Sequence, residues 1–412
     1  MFRLAWANLI HGKLRSALSV LAVGLGIALM LISRGLADGS IAEVAQRMQS
    51  VDAELVVLPA QDNIIFTNGA PFPRVVRRLI ERQSDEHGPL ASAVIPVFFG
   101  QVRMGGQQQR LFGVDPQQMD LFLGNRKVLA GKPFDKARAF AERIEAGQFT
   151  YPADDADPAA WQAFLGDGLE LVIDDRLRRV GRIDPQSGRP VPYELGDSIR
   201  LMGYDFRIVG VVETGVAGRV FAPLQTLREI AVAGQHKSSM YFIRLRPDVD
   251  PVAAADRFAG VLGNAARVEL KSAYGKLLRE SFAQINTYMN ASSGLALVVC
   301  FLFILLTMYI MVVERTREIG ILKSLGATRG DLVRLAVIQA LLISSAGVLV
   351  GVALAAVAKY GIETARPLLT VAVDYRLIGL AVVTGVVGGV LSALYPGYRA
   401  ARLDPAAALA SE

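Results

Sequence analysis

Glu314-Arg-Thr-Arg-Glu-Ile-Gly-Ile-Leu-Lys-Ser-Leu-Gly-Ala-Thr-Arg-Gly-Asp331 lies between two long apolar runs and is too patterned for a plain loop. Ile319, Leu322 and Leu325 recur at helical spacing, with Ile321 one turn before Leu325, while Arg315, Arg317, Glu318 and Lys323 fill the polar positions. Gly326 can end such a helix in a left-handed cap. Thr328 and Asp331 then form a capping-box pattern opening the next helix. A short, charged, amphipathic helix between two membrane spans suits the gripping of a soluble motor. The bland alternative is a basic loop that obeys the positive-inside rule.

Four apolar segments around this stretch are long enough to cross a bilayer: about 16–35, 291–313, 332–358 and 377–395. The first resembles a signal peptide, since Lys13 and Arg15 precede a compact apolar core. It continues, however, into Arg34-Gly-Leu-Ala-Asp38 without a small-residue cleavage site, and reads as an uncleaved span. Arg3, Lys13 and Arg15 precede the first span, Arg315, Arg317, Lys323 and Arg329 follow the second, and Arg399 and Arg402 follow the fourth. The short loop 359–376 balances Lys359 and Arg366 with Glu363 and Asp374. Positive-inside counting therefore puts both termini, residues 314–331 and the tail 396–412 in the cytoplasm, and the region 36–290 and the loop 359–376 outside. Residues 1–15 read as an interfacial helix, with Phe2, Ala5, Trp6, Leu9 and Ile10 on one face.

Small residues recur at membrane-packing spacing in the spans: Gly347 with Gly351, Gly385 with Gly389 and, more weakly, Ala22 with Gly26. No span carries an acidic or basic residue near its middle, which disfavours an ion path or proton relay. The 412 residues are 52% hydrophobic and 20% charged, fitting a protein that is part membrane and part globular. A net charge of +6 follows from membrane-flanking Arg and Lys, and no basic run or aromatic–basic interleaving suggests nucleic acid.

The external region reads as mixed α/β, with strand signals at 53–58, 94–104, 109–114, 198–201, 206–212, 240–245 and 267–270. The second and third of these flank a Gly105-Gly106 turn. Two lobes, about 36–115 and 196–270, are expected around an inserted lobe, 116–195, with a helical stalk over about 271–290 running into the second span. Asp154, Asp155 and Asp157 lack the glycine and terminal glutamate of a calcium loop. His11, His87 and His236 have no metal spacing, and Cys300 falls within a span. No hydrolase elbow, metalloprotease helix or phosphate loop occurs, so no catalytic, cofactor or metal site is expected. Any nucleotide that drives this chain is expected on another one.

Three segments carry a family resemblance: Trp6-x-Asn-Leu with Lys13-x-Arg-Ser16, Glu314-Arg-x-x-Glu-Ile-Gly-x-Leu-Lys-x-Leu-Gly-Ala327, and Tyr395-Pro-x-x-Arg-Ala-Ala-x-Leu-Asp-Pro-x-x-Ala-Leu409. Together with the order of one span, a large external domain and three spans, they resemble the permease subunits of the MacB, LolC/LolE and FtsX superfamily of ABC transporters. The resemblance implies a bacterial inner-membrane permease whose external domain comprises porter lobes around an inserted lobe. It implies an ABC ATPase partner that binds the ATP and contacts Glu314, Arg315, Glu318, Ile319, Gly320, Leu322, Lys323, Leu325 and Gly326. It further implies a homodimer, or a heterodimer with a second permease, working by mechanotransmission in contact with membrane lipid and with a periplasmic adaptor. Export of a hydrophobic or amphiphilic substrate is the main expectation. Lipoprotein release of the LolC/LolE kind and FtsX-like control of a cell-wall hydrolase are the alternatives.

Overall fold

The computed structural model describes residues 13–60, 72–153, 157–184, 188–232, 235 and 237–402. The expected interfacial helix up to residue 12, Asp154, Asp155, His236 and the tail from residue 403 lie outside these residues. The chain divides into two units, one of residues up to Ser40 together with those from Ala283, the other Ile41–Phe282.

In the first unit lie α2 (Ala283–Glu314), α3 (Thr316–Ser324), α4 (Arg329–Ala365), α5 (Tyr375–Arg402) and most of α1 (Lys13–Met48). All but α3 are long and apolar enough to cross a membrane, with mean hydropathy between 2.2 and 2.9 over their most apolar stretches. Each extends past the apolar run that marks it, because helical bonding continues wherever good helix formers follow. α1 runs on through Ala42-Glu-Val-Ala-Gln-Arg-Met48 and gives its last turns to the second unit.

The small residues are where the helices of this unit approach one another. A Cβ at Gly347 would lie 2.6 Å from Val23 Cβ, and one at Gly351 would lie 2.7 Å from Ile27 Cβ and 2.8 Å from the Gly24 carbonyl. One at Gly385 would lie 2.5 Å from Val348 Cγ2, and one at Gly389 would collide with Ser344. Thus α4 turns its glycines to α1, and α5 turns its own to α4. Gly26 of α1 faces Cys300 of α2, whose thiol donates to the Ala22 carbonyl at 3.1 Å. Ser19–Thr307 at 2.7 Å and Ser33–Ser293 at 3.0 Å add hydroxyl bonds between the same two helices. Gly351→Val is expected to destabilise this unit by about 1–3 kcal/mol through overpacking against Ile27 and the Gly24 backbone. Denaturant titration in detergent, followed by proteolysis of the spans, measures it; an unchanged midpoint would place α1 and α4 apart.

The second unit is built on one ten-stranded sheet. Its strands are β1 (Leu55–Pro59), β2 (Ala91–Met104), β3 (Gln107–Val114), β4 (Val128–Gly131), β5 (Glu170–Asp174), β6 (Ser198–Leu201), β7 (Tyr204–Val212), β8 (Val220–Pro223), β9 (Met240–Leu245) and β10 (Ala266–Leu270). The order is β6-β7-β5-β8-β3-β2-β9-β1-β10, with β4 paired to β7. β7 with β5 and β8 with β3 run parallel, and the other pairs are antiparallel. Gly105 and Gly106, at φ 60° and 73°, turn β2 into β3 with the backbone hand a tight hairpin needs.

The 14-residue β2 belongs to both halves of the sheet. Its residues up to Val97 pair with β9, and those from Val97 onward pair with β3. Around β1, β9 and β10, the helices Arg74–Glu81 and Pro251–Leu262 bury Val76, Ile80 and Phe258 against Leu55, Val57 and Tyr241. A second core joins Phe112, Phe122, Phe221 and Phe242, whose rings stack edge-on or tilted at 5.8–6.1 Å.

Two expectations change here. The segment 116–195 does not stand apart as an inserted lobe. Its run Glu170-Leu-Val-Ile-Asp174 is wholly buried and forms β5, an interior strand between β7 and β8, while β4 also joins the sheet. A short, continuous apolar run signals a strand covered on both faces, and loop-like residues on either side hid it. The expected stalk over 271–290 is also not one helix: Tyr274–Ser281 ends at Phe282, and α2 begins at Ala283. Phe282 packs onto the second core, and this draws its backbone to ψ 4°, off the helical value.

Candidate functional site

α3 is bounded by the chemistry of its ends. Thr316 starts it, its hydroxyl donating back to the Val313 carbonyl at 2.7 Å. Gly326, at φ 97°, stops it. The Gly326 N–H donates to Lys323 O and the Ala327 N–H to Leu322 O, both at 3.0 Å, the paired bonds of a Schellman cap. The chain then enters α4 through a capping box. The Asp331 N–H donates to Thr328 Oγ1 at 3.2 Å, and the Thr328 N–H donates to Asp331 Oδ2 at 3.0 Å. These reciprocal bonds fix the angle between the two helices without a flexible linker.

The Thr328 bonds hold the Asp331 carboxyl below its ordinary range. A depressed folded pKa contributes stability that is present above the unfolded value and is lost as pH falls through the folded one. The first turn of α4 is therefore expected to fray only at pH below the ordinary carboxylate range. Thr328→Ala should produce a similar fraying at neutral pH, with about fivefold faster amide exchange at Asp331. Unchanged exchange would show the cap to be idle.

The two faces of α3 differ. Gly320 is buried, and Ile319 and Leu322 are half-buried on the inner side. Ile321 and Leu325, one turn apart, point outward at 46% and 80% exposure. Several of the charged side chains are engaged within the unit: Arg315 with Glu318 at 3.4 Å, and Glu314 with Arg15. Lys323 Nζ donates to the Ala401 carbonyl at 3.0 Å.

Behind the inner face lies a small, open cleft. Arg315, Glu318, Ile319 and Leu322 form one side of it, Met311 and Val312 of α2 another. Leu332, Leu335, Ala336 and Gln339 of α4, with Ala400 of α5, close it. The structure thus brings Arg315, Glu318, Ile319 and Leu322 together around one cleft, while Leu325 and Gly326 sit on the outer side. Gly347, Gly351, Gly385 and Gly389 lie in helix contacts and not in this region. Ile321, which the sequence places one turn before Leu325 but which is not among the expected contact residues, is half of the exposed apolar pair. Gln339, a lone polar residue within an apolar run, was passed over.

A second constellation, in the domain unit, had no signal in the sequence. Arg47, near the end of α1, donates to Asp174 Oδ2 at 3.2 Å and pairs with Glu43 at 2.9 Å. Arg219 and Arg176 reach the same Glu43 oxygen at 2.6 and 3.4 Å. Arg47 also donates to the carbonyls of Val216 and Gly218. Asp174 is fully buried and caps the helix Asp175–Val180 through the Leu177 N–H at 2.7 Å. Burial pushes its carboxyl up from the ordinary range against the pull of Arg47, and burial likewise lowers Arg219. Glu43 and Arg47 lie more than 120 positions along the chain from Asp174, Arg176 and Arg219, so only folding assembles the five. Among the described residues, no group of three or more His, Cys, Asp or Glu side chains is placed to hold a metal ion.

The comparisons with known proteins divide the chain in a compatible way. The description "MacB-like periplasmic core domain" matches residues 16–261, and "FtsX-like permease C-terminal" matches residues 290–405. The chain is 26% identical over 429 residues to the pyoverdine export ATP-binding/permease protein PvdT of Pseudomonas syringae pv. syringae (strain B728a), covering 100% of this chain and 59% of that protein. It is 26% identical over 431 residues to the macrolide export ATP-binding/permease protein MacB of Shewanella sp. (strain W3-18-1), covering 100% and 60%. The chain therefore spans about three-fifths of the length of these curated relatives. The crystal structure of the periplasmic region of MacB from Actinobacillus actinomycetemcomitans aligns with 57% of this chain and 97% of its own at 12% identity, with a TM-score of 0.37. With the periplasmic-core match covering well over half of the chain and the permease match covering its last three membrane helices, this protein belongs to the MacB-like, FtsX-like permease family.

Proposed function

We propose that this chain is the permease subunit of a bacterial ABC exporter, sitting in the cytoplasmic membrane and driven by an ATPase partner that seats on the outer face of α3. The observation that carries this reading is the exposed apolar pair Ile321 and Leu325 on a helix whose C-terminal end is fixed by a Schellman cap, followed directly by the capping box of α4. An exposed apolar anchor on a rigid support is what a docking site needs, since little ordering entropy is then lost on binding. The 412 residues contain no phosphate loop, so ATP is bound outside them. Relatives named as exporters of pyoverdine and of macrolides support export, and the cargo we propose is a hydrophobic or amphiphilic molecule. The absence of an acidic or basic residue near the middle of any span supports work by mechanotransmission in a dimer, and not by passage along a polar intramembrane path.

In this reading both termini and α3 are cytoplasmic, and the α/β domain is periplasmic, where an adaptor can meet it. The topology is tested by fusing a reporter active only in the cytoplasm after Glu412, and the same reporter within the loop at Pro367. Activity from the first and silence from the second is the expected result. The reverse pattern would put α3 out of reach of any ATPase and end the proposal.

A further inference from the structure

In the domain unit, the helix Leu224–Val232 carries a buried carboxyl group without a cation. Glu229 is 6% exposed, and its two oxygens accept from Tyr151 OH at 2.9 Å and from Gln225 Nε2 at 2.6 Å. Among the described residues no Lys, Arg or His pairs with it, and its chain neighbour Arg228 donates instead to Lys237 O and Ser238 Oγ. Tyr151 joins this carboxyl group to a cluster of rings. Phe149, Tyr151, Trp161 and Phe164 are linked by centroid distances of 4.7–6.4 Å, with the buried Phe140 a further 6.0 Å from Phe164. Phe149 stands at 80° to Tyr151 and Trp161 at 87° to Phe164, so the rings wall a corner and do not form one flat stack. Tyr151 is 45% exposed, and Phe149, Trp161 and Phe164 are only half-buried. Apolar surface left open to water in one patch marks a binding site more often than chance. From residue 144 to residue 169 the chain carries Glu145, Asp154, Asp155, Asp157 and Asp167 and no Lys, Arg or His, a balance that attracts cations.

We infer that this cluster binds an organic cation, a tertiary or quaternary ammonium group with short hydrocarbon substituents, its charge against the faces of Tyr151 and Trp161. The negative ring faces attract the charge, and the substituents cover the apolar ring surface. Glu229 acts through Tyr151 as a positioning residue. The hydrogen bond that it accepts polarises the phenol and deepens the negative face of the ring, while its own charge lies one hydroxyl away. A small inorganic cation keeps its water shell and gains little from aromatic walls. Four rings also fall well short of the roughly 800 Å² that each partner contributes to a stable protein interface. The site lies wholly within the domain unit, so its occupancy is independent of any ATPase and of the exporter reading.

The test uses the full chain in dodecyl maltoside with Trp6→Phe, which leaves Trp161 as the one tryptophan and reporter. Choline chloride is titrated against sodium chloride at matched ionic strength, and 3,3-dimethylbutan-1-ol serves as the uncharged molecule of the same shape. Saturable quenching by choline is expected, with the alcohol binding at least about tenfold more weakly. Glu229→Gln keeps an acceptor for the Tyr151 hydroxyl and removes the charge. It should weaken choline about fivefold and leave the alcohol unchanged, which a merely structural role would not do. Tyr151→Leu should abolish the saturable response by removing a wall; this position is exposed, so that variant decides the matter even if Glu229→Gln fails to fold. Equal affinity for choline and the alcohol would show a plain apolar patch and overturn the inference. A response to choline that never saturates, or one that survives Tyr151→Leu, would do the same.

Discussion

Leu325→Asp is expected to weaken binding of the ATPase partner by about 30-fold or more while leaving the permease folded. Leu325 is 80% exposed at the end of α3, so a carboxylate there meets only water in the free chain and disturbs no packing. Against a partner's apolar surface the same carboxylate must be desolvated without a counter-ion, and truncating one central anchor alone is worth about 2 kcal/mol. Ile321→Asp should act in the same direction with a smaller effect, since Ile321 is 46% exposed. Leu322→Asp should behave differently. Its side chain lines the cleft, so the charge would enter the packing between α3 and α4 and lower the stability of the permease itself. The Kd of the co-purifying ATPase, measured alongside the thermal unfolding of each variant, separates the two cases. If Leu325→Asp binds normally and Leu322→Asp alone fails to bind while remaining stable, the docking face lies on the other side of α3.

Arg47→Met should destabilise the domain unit by about 3–5 kcal/mol, the effect of stripping one partner from a buried ion pair. The methionine keeps most of the aliphatic stem, so the loss reports the charge and its hydrogen bonds rather than packing. Asp174 would then stay fully buried without its hydrogen-bonded cation, keeping only the through-space pull of Arg219, and the carbonyls of Val216 and Gly218 would lose a shared donor. Arg244→Met is the matched control. Its pair with Asp52, at 3.2 Å, has both side chains more than 40% exposed and should be worth less than about 1 kcal/mol. Urea unfolding followed by Trp161 fluorescence in a Trp6→Phe background measures both. Equal shifts for the two variants would show that the Arg47 cluster is solvated in practice and carries no special weight.

Much of the membrane part was legible along the chain. An apolar run of about 20 residues crosses a bilayer whatever it packs against, because lipid leaves no alternative for the backbone. The caps of α3 and α4 were equally local, since Gly326 and the Thr328–Asp331 pair act on neighbours within five residues. The strands β2 and β3 announced themselves through the Gly105-Gly106 turn. By contrast, β5 was missed because a buried strand has no alternating pattern, and residues 116–195 were assigned to a lobe of their own. The break at Phe282 was missed for a related reason: nothing in the local sequence forbids helix there, and it is the distant core that bends the backbone.

The candidate site divides along the same line. The sequence by itself determined that α3 exists, where it starts and stops, and that it lies between two spans, for these follow from periodicity and caps acting over single turns. Only the tertiary structure decided which of its faces is free. The packing of α4 and α5 covers Ile319 and Leu322 and leaves Ile321 and Leu325 outside. That packing also gathers Gln339, Leu335 and Ala400 around one cleft, and draws Arg47 and Asp174 together across 127 positions. Burial and charge pairing are properties of neighbours in space, and one-dimensional spacing carries them only within a helical turn or a hairpin.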